Sequence, residues 1–543
     1  MALTTVLRGH SAGLRRRELL WLTVAPLAAV AAVAVGMHLA GMVGGDTAAH
    51  VYKTGLVRHH QSIVWDNYWY GGSYSIITYG PVYYWLAQYV PGAVIAVVAA
   101  GLLPLLFFLY MRRVYGVTGY LPTAVLAVVL AAYLENGQDP FLLALALTMF
   151  GLVLVAYKRP ALAALLVGVG LFTNPLAFVV GAMFLIADFI TRPPLRRMLL
   201  WFAVWLAPWL LARTGLALLF DQRATYLDQL GQLIKYVAFA LVGWGLARWS
   251  RDPQRRSLQV LFAVFAAACV LSFLVPHNPL GNNVGRFFFV FGLPLLLCVR
   301  RVRVPLVIIP LALAVAYLQL NTSVSAFLHT SDFAAARAPF FSSALAFAAT
   351  HADPDHRIHV VAMWKHGEAR FFPEAGLAIT RGWYRQADAL HNDLFYTDYS
   401  AAQYVAWLRD MGVEYVFVPN AKLDPWSVRE PAILAGSPQF TVVFRDQRWT
   451  VYRLLATEPL VTAVSAGGQA EVTAMGHASL SIRVQSPGTY AVKVTWSPYW
   501  RVTAGDGALS RGPDDLLVLQ AREAGDYVLT IDAGLRAVLQ RLF

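Results

Sequence analysis

The sequence predicts an α-helical polytopic membrane domain of about eleven transmembrane helices, then a soluble mixed α/β segment and a C-terminal antiparallel β-sandwich. Three observations predict it. Hydrophobic residues make up 58% of the 543-residue chain and charged residues only 13%, about half the share usual for a soluble protein. The charge deficit is confined to the first three fifths, where apolar runs follow one another with short polar breaks, and charge density becomes ordinary after residue 330. The basic residues of the apolar part fall in every second loop.

A membrane-crossing helix needs roughly 20 apolar residues. Runs of that kind, some of them short, occupy residues 19–42, 92–111, 118–134, 141–157, 160–173, 176–191, 198–214, 232–248, 257–275, 287–300 and 304–320. The first follows Arg15, Arg16 and Arg17. It is longer than the apolar core of a cleaved signal peptide and is expected to remain as the first helix. With the N-terminus inside, the inner loops carry Arg112-Arg113, Lys158-Arg159, Arg192 with Arg196-Arg197, the stretch from Arg248 to Arg256, and Arg300-Arg301 with Arg303. The outer loops hold few basic residues, namely Lys53, Arg58, Arg223 and Arg286. This bias places the N-terminus in the cytoplasm and the C-terminal region outside. It also accounts for the net charge of +13 without nucleic acid as a partner. Cys269 and Cys298 both sit in apolar runs, with neither metal-ligand nor disulfide spacing.

Three stretches divide the chain: a membrane part over 1–320 with a long first outer loop at 43–91, an extracytoplasmic mixed α/β region over 321–455, and an extracytoplasmic β-sandwich over 456–543. In the middle part, residues 356–363 read as a strand. Residues 404–419 read as a helix, a turn at Gly412 and a strand, and 440–455 as a hairpin. In the last part, TYAVKVTW, DDLLVLQA and DYVLTIDA alternate apolar and polar residues between turn formers, the pattern of half-buried strands.

The orientation sorts the polar residues. The inner loops carry arginines and little else, whereas Asp46, His50, Asp66, Glu135, Asp139, Asn174, His277, Asn283 and Arg286 fall on the outer side. Ionisable groups held close to a membrane are functional candidates, so chemistry is expected on the outer face, where no nucleotide sugar is available. The first outer loop is far longer than a connector requires and is rich in rings, Trp65, Trp69, Tyr70 and Tyr79 among them. It is expected to form short helices on the membrane surface beside a cavity, with Trp65 and Tyr79 as substrate contacts. An interfacial aromatic belt is the simpler reading for most of these rings. His50, four residues after Asp46, shares a helix face with it, a pair able to orient an acceptor or to hold a divalent cation. Glu135 and Asp139 flank a turn, ENGQDP, and the sequence does not choose between them. His277 and Arg286 belong to the donor-rich loop PHNPLGNNVGR. There Arg286 is suited to grip a phosphate through paired hydrogen bonds or to snorkel to lipid headgroups. Arg223, beside Asp221, is a weaker candidate of the same kind.

The Asp directly after the first span, the long first outer loop, the many spans and the outer C-terminal region resemble the glycosyltransferase C superfamily. Within it, GDTAAH at 45–50, the W-x(3)-W-Y-x-G-x(6)-Y-G-P run from Trp65 to Pro81, RGWYRQ at 381–386 and GVEYVFVP at 412–419 are similar to bacterial membrane proteins labelled pyruvoyl-tetrahydropterin synthase-related. The resemblance implies a membrane glycosyltransferase, inverting in outcome, in the bacterial inner membrane. It would move a sugar from a polyprenyl-phosphate donor to a glycan, lipid or protein acceptor. A phosphate leaving group needs no general acid, so one base for the acceptor hydroxyl suffices, and the resemblance implies that Asp46 is that base. A helix-capping role for Asp46, a non-catalytic envelope-assembly protein and a transporter of lipid-linked glycans are the competing expectations.

Overall fold

The computed structural model describes residues 16–220, 225, 229–275, 278, 280–299, 308–464, 468–534 and 536–538. Every expected apolar run contains one helix: α1 Arg16–Leu39, α2 Gly92–Tyr115, α3 Leu121–Tyr133, α4 Asp139–Ala156, α5 Pro160–Leu171, α6 Pro175–Thr191, α7 Pro193–Leu219, α8 Leu230–Trp249, α9 Arg255–Leu274, α10 Arg286–Cys298 and α11 Ile308–Leu328. Proline at the first or second position starts α3 to α6, where its missing N–H costs nothing. Gly116, with φ +64°, ends α2 in the left-handed cap that glycine favours.

Among the described residues, eight of these helices are long and apolar enough, by length and composition, to cross a membrane: α1, α2, α4, α7, α8, α9, α10 with the turn before it, and α11. The other three, α3, α5 and α6, have 13, 12 and 17 residues. At about 1.5 Å per residue, α5 rises roughly 18 Å, against a hydrocarbon layer about 30 Å thick. It packs into a cluster with α4 and α7 that includes Leu154, Val167, Phe202 and Leu206.

The chain separates into two compact units. The first comprises Met1–Thr47, Tyr79–Leu216 and Ala224–Thr330, and the second Ala48–Thr78, Ala217–Arg223 and Ser331–Phe543. Most of the first loop thus belongs with the C-terminal half. Trp65, Tyr68, Trp69 and Tyr70 form neither an interfacial belt nor a cavity lining, because they are buried inside the second unit. A helix over Thr47–Arg58 is followed by the two-residue strands β1 Trp65–Asp66 and β2 Ser73–Tyr74.

The rest of the second unit has two parts. In the first, β3 Arg357–Val360, β4 Val413–Pro419, β5 Phe440–Arg445 and β6 Trp449–Leu454 form a sheet of order β3-β4-β6-β5. In it β3 and β4 are parallel and the others antiparallel. The expected strand, helix–Gly412–strand unit and hairpin are all present. The helix is Ala401–Asp410, started by a Ser400/Gln403 capping box, and Gly412 turns with φ +70°. The second part is the expected sandwich. Strands β7 Val461–Ala463, β10 Gly488–Thr495, β12 Gly507–Arg511 and β13 Leu516–Ala521 make one antiparallel sheet, and β8 Ala470–Gly476, β9 Ser479–Val484, β11 Trp500–Ala504 and β14 Gly525–Ile531 the other. Leu480, Ile482, Val492, Leu517, Leu519 and Leu529 share a core to which the first loop contributes Trp65.

Candidate active site

In the first unit the polar turns at one end of the helices are tied together by short backbone contacts. After α1 the chain runs through Gly44, Gly45, Asp46 and Thr47. The Gly45 N–H donates to the Glu135 carbonyl at 3.1 Å and the Asp46 N–H to the Asn136 carbonyl at 2.9 Å. Glycine makes this approach possible. A Cβ on Gly44 would lie 2.5 Å from Gly137 Cα, and Gly137 itself has φ +66°, a conformation costly for other residues. Asp46 is therefore held by its backbone against the α3–α4 turn and is half-buried. This joins two segments that the sequence left ninety positions apart.

Two more turns are drawn in by the same device. A Cβ on Gly80 would sit 2.4 Å from the Thr173 carbonyl oxygen, and the Val82 N–H donates to the Phe172 carbonyl at 3.2 Å. Asn174, the N-cap of α6, accepts from the Leu176 N–H at 3.0 Å, and its side-chain amide donates to the Tyr79 hydroxyl at 3.5 Å. Tyr83 donates to Asp139 Oδ2 at 3.3 Å, and the bare backbone of Gly92 lies beside both groups.

Arg286 opens α10. Its Nε donates to Asn283 Oδ1 at 3.1 Å, and its guanidinium carbon stands 4.7 Å from the centre of the Phe141 ring on α4. Asp46 and Arg286 both act electrostatically on Tyr79 and on Tyr133, and Asp46 acts on Asp139. Burial, and then the Asp46 carboxylate, push the Tyr79 hydroxyl well above the ordinary phenol range, while Arg286 pulls against them. The cluster therefore offers a half-buried carboxylate, a guanidinium able to pair with a phosphate, and phenol and amide groups that can orient a hydroxylated ligand.

Of the residues expected from sequence, Asp46, Tyr79, Glu135, Asp139 and Arg286 gather in this unit. Glu135 is buried at 3% exposure, whereas Asp139 is half-buried. His50 groups with the second unit instead, its ring 6.4 Å from that of Tyr384. Trp65 is a core residue rather than a substrate contact. It is 1% exposed, edge-on to Tyr74 and Trp500, and its indole N–H donates to Asn67. His277, Asp221 and Arg223 lie outside the described residues. Among the described residues no three His, Cys, Asp or Glu side chains form a metal-binding group. Tyr83, Tyr133, Asn174 and Asn283 join the cluster without having been singled out as site residues. Asn174 and Asn283 had entered only as polar residues of the loops expected outside, Asn174 beside a helix-starting proline, and nothing had marked Tyr83 or Tyr133.

No known protein family and no curated protein sequence matches the chain. Among solved structures, the chain is similar to ArnT from Cupriavidus metallidurans in the apo state, at 12% identity and a TM-score of 0.39, over 79% of this chain and 97% of that one. It is also similar to the Archaeoglobus fulgidus oligosaccharyltransferase in the apo form, at 12% identity and a TM-score of 0.41, over 74% of this chain and 70% of that one. Likenesses of this strength assign neither activity nor substrate.

Proposed function

We propose that the chain is an integral-membrane glycosyltransferase of the glycosyltransferase C type. It takes a sugar from a polyprenyl-phosphate donor and passes it to an envelope glycan, lipid or protein acceptor at the outer face of the bacterial inner membrane. The observation that carries this reading is the convergence of Asp46, Tyr79, Glu135, Asp139, Asn174 and Arg286 at the ends of helices far apart in sequence. The narrower likeness to the pyruvoyl-tetrahydropterin synthase-related proteins rests on the short motifs alone.

In this scheme the acceptor hydroxyl attacks the anomeric carbon, and the bond from that carbon to the phosphate oxygen breaks. The electron pair leaves with the polyprenyl phosphate, and Asp46 takes the hydroxyl proton. Attack from the face opposite the phosphate inverts the anomeric centre. Arg286 pairs with the phosphate as negative charge collects on it. The basic residues between α2 and α3, α4 and α5, α6 and α7, and α8 and α9 mark the cytoplasmic side.

The test is an assay of the purified chain with a radiolabelled polyprenyl-phosphate sugar and cell-envelope fractions as acceptor. Label should leave the lipid for the acceptor while polyprenyl phosphate accumulates. Tight donor binding with no transfer to any envelope fraction would favour the non-catalytic or transporter reading.

A further inference from the structure

Lys235 places a charge within α8, a helix apolar enough to cross a membrane, and the transfer scheme gives it no task. In the proposed orientation α8 starts at the outer face, so Lys235 lies about 7.5 Å along the axis from that end. A cation at such a place is costly and is kept for a partner or a ligand.

The helix presents Lys235 at a seam. Leu230, Ile234 and Leu241 are exposed, whereas Tyr236, Phe239 and Ala240 are buried, and half-buried Lys235 falls between these two faces. Its ammonium stands 5.0, 4.9 and 5.8 Å from the ring centres of Tyr236, Phe289 and Phe288. The last two rings belong to α10, and Phe289 lies one turn beyond Arg286 on the same face. The turn before α10 also packs closely on α8, since a Cβ on Gly285 would collide with the Tyr236 ring. Lys235 and Arg286 are thus both neighbours of Phe289.

These groups are donors without a matching acceptor. Among the described residues no carboxylate pairs with Lys235 or with Arg286. Asn283 is buried, its Oδ1 accepts from Arg286 Nε, and its Nδ2 has no hydrogen-bond partner. Contact with aromatic rings lowers the cost of holding an ammonium there, but it leaves the charge uncompensated. An ammonium, a guanidinium and a buried amide together suit an anion.

We infer that Lys235 is a second cation of the lipid-phosphate site, holding the phosphate together with Arg286 and the Asn283 amide. Charge-assisted hydrogen bonds from two cations hold a phosphate more firmly than one. The seam lets the phosphate reach both while its polyprenyl chain stays in lipid. The inference rests on the lipid-linked donor proposed above and adds to it the residue on the bilayer side.

The test is native mass spectrometry of the full chain in detergent, with polyprenyl monophosphate as probe and the free polyprenol and phosphatidylglycerol as comparisons. The wild type should hold the monophosphate at least about tenfold more tightly than either. Lys235→Leu should cut that preference about tenfold without lowering the melting temperature, since it strands no buried carboxylate. Lys235→Arg should restore most of it. Undiminished preference in Lys235→Leu, with preference lost in Arg286→Leu, would overturn the role of Lys235 and leave the lipid donor standing. A wild type that holds polyprenol or phosphatidylglycerol as tightly as the monophosphate would overturn both.

Discussion

Two aspartates twenty positions apart in the same loop, Asp46 and Asp66, have opposite surroundings. Asp66 is fully buried and saturated. Lys53 Nζ lies 3.1 Å from Oδ2, the Tyr52 hydroxyl donates to both oxygens at 3.0 and 3.1 Å, His477 Nδ1 is 3.1 Å from Oδ1, and the Tyr68 N–H donates at 3.2 Å. Asp46 is half-buried, and its backbone is fixed against the α3–α4 turn, where glycines allow the close approach. A carboxylate whose lone pairs are all occupied holds a fold together. A half-buried carboxylate beside Tyr79 and Arg286 is within reach of a ligand. Only the second suits a base, so substitutions at the two should separate activity from stability.

The largest effect is expected at Asp46. Asp46→Asn should lower transfer about 10²–10⁴-fold or more, since positioned bases contribute on that scale, while leaving donor binding and the melting temperature intact. Asn caps a helix about as well as Asp, so a pure capping role predicts unchanged turnover. Steady-state transfer assays and calorimetry on the same preparation distinguish the two.

The reverse outcome is expected at Lys53, whose loss strands the Asp66 charge in the core. Lys53→Met should cost about 3–5 kcal/mol, as broken buried pairs do, read as earlier thermal unfolding of the second unit or as new proteolytic cuts within 48–78. A destabilisation below about 1 kcal/mol would mean that the pair is not buried as described.

Gly44→Ala tests whether backbone placement is what equips Asp46. The added Cβ would collide with Gly137 Cα, which cannot swing aside as a side chain does. A displacement near 1 Å can cost about 10²-fold in rate, so transfer should fall by that order with Asp46 itself unchanged. Wild-type turnover in this variant would mean that the α3–α4 turn does not position the base.

The smallest effect concerns pH. Burial disfavours the Asp66 carboxylate, but Lys53 and His477 outweigh it and hold its pKa down at about 2. A folded-state pKa below the unfolded value near 4 stabilises the protein above pH 4, and that stability fades as pH falls through about 2. The gain is about 2 kcal/mol. Acid titration of unfolding should show this loss in the wild type and a shallower one in Asp66→Asn.

Much of this was legible in the sequence, for physical reasons that differ by region. Apolar runs declare themselves because a helix in lipid must be apolar along its length, so all eleven helices fall where the runs are. The strand at 413–419 and the hairpin at 440–454 follow from local alternation and turn residues. Asp46, Glu135, Asp139 and Arg286 stood out because ionisable groups at the ends of apolar helices contrast with their surroundings, and Tyr79 stood out among the rings of the long loop. Helix length, partner and burial are not local. Whether a 12-residue run such as α5 crosses a membrane depends on what packs around it, and composition does not record that.

The sequence by itself determined the membrane part, the sheet-forming parts, and the polar turns among which Asp46 and Arg286 lie. Tertiary structure alone decided that Trp65 and its neighbouring rings are core, because their partners Trp500 and His477 lie more than four hundred residues away. It alone decided that Gly45 and Asp46 meet Glu135 and Asn136 through their backbones, a contact that the absence of side chains at Gly44 and Gly137 permits. The common reason is that burial and close approach belong to pairs of segments, and a sequence read along its length shows only one member of each pair at a time.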